Sequence, residues 1–179
     1  MAQRIGIFGG TFDPIHFGHE DIIRRAASLF DELLVAVYDK PLKSLLFSPE
    51  QRVAMVRAAV EQTGLANISV VGYSGLTVDF CHSVQARVMV RGLRVFSDFE
   101  HEFRIALANH RLAPEIETIP FITSERHTFL SSTSVREIAA LGGDVSSMVS
   151  APVQAALKRR FQELGEDGGQ IVPMTSLRD

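Results

Sequence analysis

Arg4-Ile5-Gly6-Ile7-Phe8-Gly9-Gly10-Thr11-Phe12-Asp13-Pro14-Ile15-His16-Phe17-Gly18-His19 runs from an apolar segment through two glycines into a pair of histidines. Residues 4–8 read as a first core strand. Gly9 and Gly10 follow at once, and glycine at a strand end lets the backbone approach a ligand closely. The segment then enters a helix predicted over residues 19–30, where Ile22, Ile23, Ala26, Ala27, Leu29 and Phe30 recur at helical spacing. The N-terminal N–H groups and dipole of such a helix favour an anion. His16 and His19 stand three apart at its mouth, with Gly18 between them, so both imidazoles can face one phosphate. The stretch is neither the dinucleotide fingerprint G-x-G-x-x-G nor the P-loop G-x-x-x-x-G-K-[ST]. The plain alternative is a strand-to-helix turn with two surface histidines, and Gly9-Gly10-Thr11 just upstream weighs against it.

Outward from there, short apolar runs alternate with helical patterns, which argues for parallel βαβ units. Strands are predicted over residues 4–8, 32–38, 67–71, 87–90 and 117–122. The last four are near-continuous apolar or β-branched runs, as strands covered on both faces should be. Ser48-Pro49-Glu50-Gln51 opens a second helix with an N-cap serine, a proline at the first helical position and glutamine at the capping-box position. A third helix is predicted over residues 98–111. Ser134-Val135-Arg136-Glu137 reads as a further capping box, opening a helix that Gly142-Gly143 stops, and a last helix covers residues 152–164. The expected fold class is α/β: a doubly wound five-stranded parallel sheet in a single domain, residues 1–165, with a C-terminal helix and a flexible tail, residues 166–179, that has little to bury. Ligands of such sheets bind outside the carboxyl ends of the strands.

The composition agrees with one soluble globular domain: 179 residues, 46% hydrophobic and 22% charged. A formal net charge of -3 argues against a nucleic-acid partner. The single cysteine, Cys81, lies in the apolar run Val78-Asp79-Phe80-Cys81 and reads as a buried structural thiol, which excludes a disulfide framework and a cysteine-based zinc site. The N-terminus has no signal-peptide pattern, and no stretch approaches the ~18 continuous apolar residues of a membrane span. A cytoplasmic protein with no membrane partner is expected.

Three further motifs fall in the loops after predicted strands. Arg91-Gly92-Leu93-Arg94 offers two guanidiniums for bidentate phosphate binding, with Asp98, Glu100, His101 and Glu102 on the helix that follows. Leu130-Ser131-Ser132-Thr133-Ser134-Val135-Arg136 places four consecutive hydroxyl residues at a helix N-terminus, more than one N-cap requires, and so suggests a phosphate cradle. Lys40 and Lys43 lie in the loop after the second strand; alone, they would read as solubilising. No cysteine nucleophile, Ser-His-Asp arrangement or clustered metal ligands stand out. Several phosphate sites at one sheet edge fit a reaction between two phosphate-bearing substrates. A phosphomonoester, with a second pKa of about 6, is already a competent nucleophile at neutral pH. Such a transfer needs positioning and charge stabilisation rather than a general base.

His16-Phe17-Gly18-His19 and Leu130-Ser131-Ser132-Thr133-Ser134-Val135-Arg136 resemble the (T/H)xGH and ISSTxxR signatures of the nucleotidylyltransferase superfamily. Within it, the chain resembles the bacterial phosphopantetheine adenylyltransferase family. The GGTFDPxxxGH start, the lysine-containing loop, the RGLRxxxDFExE block and the FxSSxxVRE block occur in order between Arg4 and Leu164. The resemblance implies a Rossmann-like nucleotidylyltransferase fold and transfer of AMP from ATP to 4′-phosphopantetheine. The products would be dephospho-coenzyme A and pyrophosphate, with Mg²⁺ carried mainly on the ATP phosphates and a homohexameric assembly. It implies that His19, Lys43 and Arg94 are catalytic. Thr11, Phe12, His16, His19, Gly92, Leu93, Arg94, Glu102, His127, Thr128, Phe129, Leu130, Ser131, Ser132 and Thr133 would bind ATP. Thr11, Lys43, Thr77, Arg91 and Asn109 would bind the acceptor, with no metal held by the protein. His16 stands where many members have threonine, so the chain resembles in this respect the two-histidine version found in nicotinamide mononucleotide adenylyltransferases. That acceptor is the alternative within the fold, and a non-catalytic nucleotide-binding module is the alternative outside it. The Arg91–Arg94 block followed by Asp98-Phe99-Glu100 favours phosphopantetheine over the first, and the intact His19, Lys43, Arg91 and Arg94 set argues against the second.

Overall fold

The computed structural model describes residues 3–41 and 44–166. Its strands are β1 (Ile5–Gly10), β2 (Glu32–Tyr38), β3 (Ile68–Tyr73), β4 (Val88–Leu93) and β5 (Glu117–Ile122). Its helices are α1 (Phe17–Ala27), α2 (Pro49–Glu61), α3 (Thr77–Ser83), α4 (Phe96–Leu112), α5 (Ser132–Ala140) and α6 (Ala151–Glu166), with a 3₁₀ turn at Glu125–His127. The strands form one five-stranded sheet in the order β3-β2-β1-β4-β5, and every pairing is parallel. The chain builds outward from β1 to β3, then returns to lay β4 against the other side of β1. The strand order therefore reverses between β1 and β4, where a doubly wound sheet opens a crevice at its carboxyl edge.

Side chains alternate across the sheet and build two cores. Phe8, Leu33, Val35, Val37 and Val90 pack with Ile22, Ile23 and Ala26 of α1, Met55 and Val56 of α2, and Val153 and Leu157 of α6. On the opposite face Ile7, Leu34, Ala36 and Met89 pack with Val78 and Cys81 of α3 and with Ala113 and Ile116. Burial of these apolar groups is the main stabilising term.

Each predicted strand is present, but three run further than expected. Pairing continues past the apolar run: Gly9 and Gly10 oppose Ala36 and Val37, and Arg91, Gly92 and Leu93 oppose Pro120, Phe121 and Ile122. Arg91 and Gly92 are thus strand residues rather than loop residues. Pro120 is tolerated because β5 is an edge strand, where a missing N–H costs no ladder bond on the outer side. Edge position also explains why β5 is not covered on both faces: Ile122 is 74% exposed.

The capping-box expectation at Ser134 moves by one turn. Ser131 has the extended backbone of an N-cap, and its hydroxyl accepts from the Ser134 N–H at 3.0 Å, so α5 starts at Ser132. The run around Cys81 is helical, with Val78 and Cys81 three apart on the buried side. Cys81 itself is fully buried, as expected. Among the described residues no helix is long and apolar enough to cross a membrane. Lys43 and residues 167–179 of the expected tail lie outside the described residues.

Candidate active site

A cavity of about 350 Å³ opens over the carboxyl ends of β1 and β4. Gly9, Gly10, Thr11 and Phe12 form one wall, and Arg91, Gly92 and Arg94 the other. His16 and His19 close it from α1, Asp98, His101 and Glu102 from α4, and Ser131, Ser132 and Thr133 from the start of α5. The close fit needs glycine: a Cβ at Gly92 would stand 2.6 Å from Ile22 Cδ1, and one at Gly18 would stand 3.1 Å from the His16 ring.

The histidines are not surface groups. His16, 4% exposed, is the N-cap of α1, and the His19 ring stacks on it with centroids 3.7 Å apart and planes 24° apart. The His19 Nδ1 accepts the His16 backbone N–H at 3.3 Å. That bond assigns the imidazole proton to Nε2, leaving an N–H donor. Burial, with the Arg94 and Arg91 cations adding to it, pushes the His19 imidazole down to about 3. Burial, with the neighbouring His19, Arg94 and His127, also holds His16 well below the usual imidazole range. Both rings are therefore neutral at pH 7. Phe12 meets the His19 ring edge-on at 5.0 Å and carries a positive φ of 48°, an uncommon backbone for a bulky residue that the packed loop enforces.

Each arginine is held by a carboxylate of α4, Asp98 in its first turn and Glu102 one turn further on. The Arg91 Nε and Nη2 donate to both oxygens of Glu102 at 2.6 and 2.8 Å, and its Nη1 donates to the Gly9 carbonyl at 2.9 Å. The Arg94 Nε and Nη2 donate to Asp98 at 2.9 and 3.1 Å, and its Nη1 donates to the Leu130 carbonyl at 2.8 Å. The bidentate face of each guanidinium is thus engaged by protein, and each charge is fixed in direction at the cavity wall. Asp98, and the link between Glu102 and Arg91, carry roles that motif reading did not assign. On the far wall, Arg136 donates to the Asp13 carbonyl and carboxylate, and Ser132 Oγ donates to the Pro14 carbonyl at 2.9 Å.

Of the residues expected to meet substrates, Thr11, Phe12, His16, His19, Arg91, Gly92, Arg94, Glu102, Ser131, Ser132 and Thr133 line the cavity. Leu130 does not: its side chain is 1% exposed, and it acts through its carbonyl on Arg94. Leu93, His127, Thr128, Phe129, Thr77 and Asn109 lie outside the lining. His127 nevertheless sits close to the helix mouth, its Cβ 3.5 Å from where a Gly18 Cβ would stand, and Phe129 is 62% exposed. Thr77 Oγ1 is 3.1 Å from the Tyr73 hydroxyl. Asn109 Nδ2 points at Met89 Sδ, 3.9 Å away. Among the described residues no group of three or more His, Cys, Asp or Glu is arranged to hold a metal ion.

The cytidylyltransferase-like family model matches residues 7–138, from β1 into α5. A phosphopantetheine adenylyltransferase from Thioalkalivibrio sulfidiphilus is 52% identical over 159 residues, covering 89% of this chain and 99% of its own length. One from Roseiflexus sp. strain RS-1 is 50% identical over 157 residues, covering 88% of this chain and 97% of its own. A solved structure from Vibrio parahaemolyticus, of a provisional nicotinate-nucleotide adenylyltransferase, superposes with a TM-score of 0.69 over 88% of this chain and 99% of its own. At 21% identity that likeness bears on the fold and not on the acceptor. With the cavity at the β1/β4 switch point and half of its residues shared with relatives over nearly their whole length, the chain belongs to the cytidylyltransferase-like family and, within it, to the phosphopantetheine adenylyltransferases.

Proposed function

We infer that the chain transfers the adenylyl group of ATP to 4′-phosphopantetheine, releasing pyrophosphate and dephospho-coenzyme A. The observation that carries this reading is the paired arrangement of Arg91 and Arg94 across one cavity from a neutral His19. Two fixed cations on one strand end suit two phosphate-bearing substrates. A half-buried N–H donor beside them, on the cavity lining, suits charge that develops between those substrates.

ATP lies against the starts of α1 and α5, where His16, Arg94 and the hydroxyls of Ser131, Ser132 and Thr133 face its phosphates. Gly92, Leu93 and Glu102 border it, and the His127–Leu130 segment takes the nucleoside end. The acceptor phosphate meets Arg91, Thr11 and Lys43, and Thr77 and Asn109 line the path of its pantetheine arm. An oxygen of the acceptor phosphate attacks the α-phosphorus, the bond to the bridging oxygen breaks, and pyrophosphate leaves with the electron pair. The acceptor is already ionised, so no residue need remove a proton. The His19 Nε2–H donates to the oxygens that gain charge in the transition state. This donor is neutral, directional and in place before reaction, so its reorganisation cost is small.

The carboxylates of the cavity, Asp98 and Glu102, are both bound bidentate to arginines. They do not fit a protein-held Mg²⁺, and magnesium arrives as the counter-ion of ATP. The exposed apolar stripe Phe96, Phe99, Phe103 and Leu107 along α4 supports an assembly that covers that face, and its taking the form of a homohexamer rests on the family resemblance. A cytoplasmic location suits the substrates. Pyrophosphate release from MgATP, with phosphopantetheine and nicotinamide mononucleotide as parallel acceptors, tests the reading. Release with phosphopantetheine alone is expected. Release with the mononucleotide alone would overturn the roles of Lys43, Thr77 and Arg91, and release with neither would leave a binding module.

A further inference from the structure

Arg52 is fully buried, one turn into α2; Asp13 and Asp39 lie near enough to favour its charge, yet among the described residues no carboxylate hydrogen-bonds to it. Its guanidinium donates only to backbone carbonyls: Nε to Phe47 at 3.2 Å, Nη1 to Thr11 at 2.8 Å and Tyr38 at 2.6 Å, and Nη2 to Asp39 at 3.0 Å. These carbonyls belong to three separate segments: the loop leaving β1, the end of β2, and the loop that returns to α2. The placement is costly. A cation at a helix N-terminus opposes the dipole and burial disfavours its charge, although an apolar side chain there would leave four carbonyls without their donor. What the arginine supplies instead is geometry, since its planar fork fixes several acceptors at once.

The rest of the loop is tied down in the same manner. The Asp13 carboxylate, 1% exposed, accepts the backbone N–H groups of Leu46 and Phe47 at 2.9 and 3.0 Å. Arg160 of α6 donates to the Leu46 carbonyl at 3.1 Å from the other side. Ser48 and Gln51 cap α2 reciprocally, at 2.9 and 3.3 Å, which sets the turn that presents Arg52. The residues so held, Asp39, Leu46 and Phe47, flank Lys43 in the sequence, and the carbonyl at the other end of the grip is that of Thr11.

Resting on the adenylyl-transfer reading above, we propose that Arg52 is a positioning residue that ties the two ends of the β2–α2 connection, Tyr38-Asp39 and Phe47, to Thr11 and so sets the acceptor phosphate in line with the α-phosphorus. Displacements of about 1 Å at such a site cost on the order of 100-fold in rate. The donor-side groups His16, Arg94 and Ser131 make no hydrogen bond to Arg52, and Thr11, which serves both substrates, is held by its backbone carbonyl and not its side chain, so the acceptor side bears most of the effect.

The test is Arg52→Lys, which keeps the charge but lacks the planar fork. It reads kcat/KM for phosphopantetheine alongside the equilibrium Kd for ATP, with wild type in parallel. A loss of about 10- to 100-fold in kcat/KM, with ATP Kd held within about threefold, is expected. A folded variant that matches wild type in both, or that loses both equally, overturns the proposal, because a merely structural arginine would give one of those results. Wild type that releases no pyrophosphate would instead refute the adenylyl-transfer reading. If Arg52→Lys does not fold, Arg160→Met loosens the same loop from its outer, partly exposed side. A fall in acceptor kcat/KM at constant ATP Kd then supports the clamp, and no change in either overturns it.

Discussion

His19→Asn should flatten the dependence of stability on pH. In the folded chain the His19 imidazole titrates at about 3, against 6.5 when unfolded, chiefly because burial disfavours the cation. Between those values the unfolded chain binds a proton that the native chain does not. Acid therefore draws the equilibrium toward the unfolded state, and stability falls as pH falls. At pH 7.5 both states are neutral at this site and the contribution is nil. At pH 5.0 the unfolded imidazole is almost wholly protonated, and the loss is about 2 kcal/mol from His19 alone. His16 adds a loss of the same sign, chiefly through its own burial, which the variant retains, and only secondarily through His19. The assay is urea denaturation of both proteins at pH 7.5 and pH 5.0. Wild type should lose about 2 kcal/mol more than the variant over this interval, or about 4–8 °C in Tm for a chain of this length. Parallel losses in the two proteins would mean that His19 is not held neutral by burial, and the picture of a preset neutral donor would fall with it.

Other outcomes follow from the same geometry. His19→Ala should lower kcat by roughly 100- to 1,000-fold with ATP Kd nearly unchanged, as for a donor engaged mainly in the transition state. Lost ATP affinity with turnover preserved would contradict that. Arg91→Ala should raise the acceptor KM, since a ground-state phosphate contact is lost, and an unchanged KM would remove Arg91 from the acceptor side. Cys81, fully buried and with its thiol pushed up by burial to about 11, should resist a disulfide reagent at pH 8 until the chain unfolds. Ser131→Ala should cost about 1 kcal/mol in urea unfolding through loss of the α5 cap, and an unshifted midpoint would contradict the assignment of that cap.

Much of the fold was legible because parallel strands buried on both faces are written in β-branched runs, and because Ser48-Pro49-Glu50-Gln51 marks a helix start with three independent signals. β2 lies where the apolar run places it. What was not legible depends on pairing at a distance. The ends of β1 and β4 are set by partners across the sheet, so Arg91 and Gly92 read as loop until β5 is laid beside them. α3 is seven residues long, too short for helical periodicity to distinguish it from an apolar run. In the site, the glycine turn, both histidines, the arginines and the hydroxyl cluster stood out because their residue types are unusual at strand and helix ends. The Arg94–Asp98 pair lies at ordinary helical spacing. The Arg91–Glu102 pair spans eleven residues and joins a strand to a helix, so nothing local announces it. Arg52 sits where a helix start reads as a solvated face, and its carbonyl partners leave no trace in side-chain pattern.

Direct transfer from ATP to the acceptor, with no adenylated enzyme between them, is the central claim. It rests on the His19 proton being on Nε2, which leaves that nitrogen no lone pair with which to attack. Exchange of labelled pyrophosphate into ATP, measured with and without dephospho-coenzyme A, tests it most directly. Exchange is expected only when dephospho-coenzyme A is present. Exchange with ATP, magnesium and pyrophosphate alone would reveal a covalent adenylyl-enzyme and contradict the role given to His19.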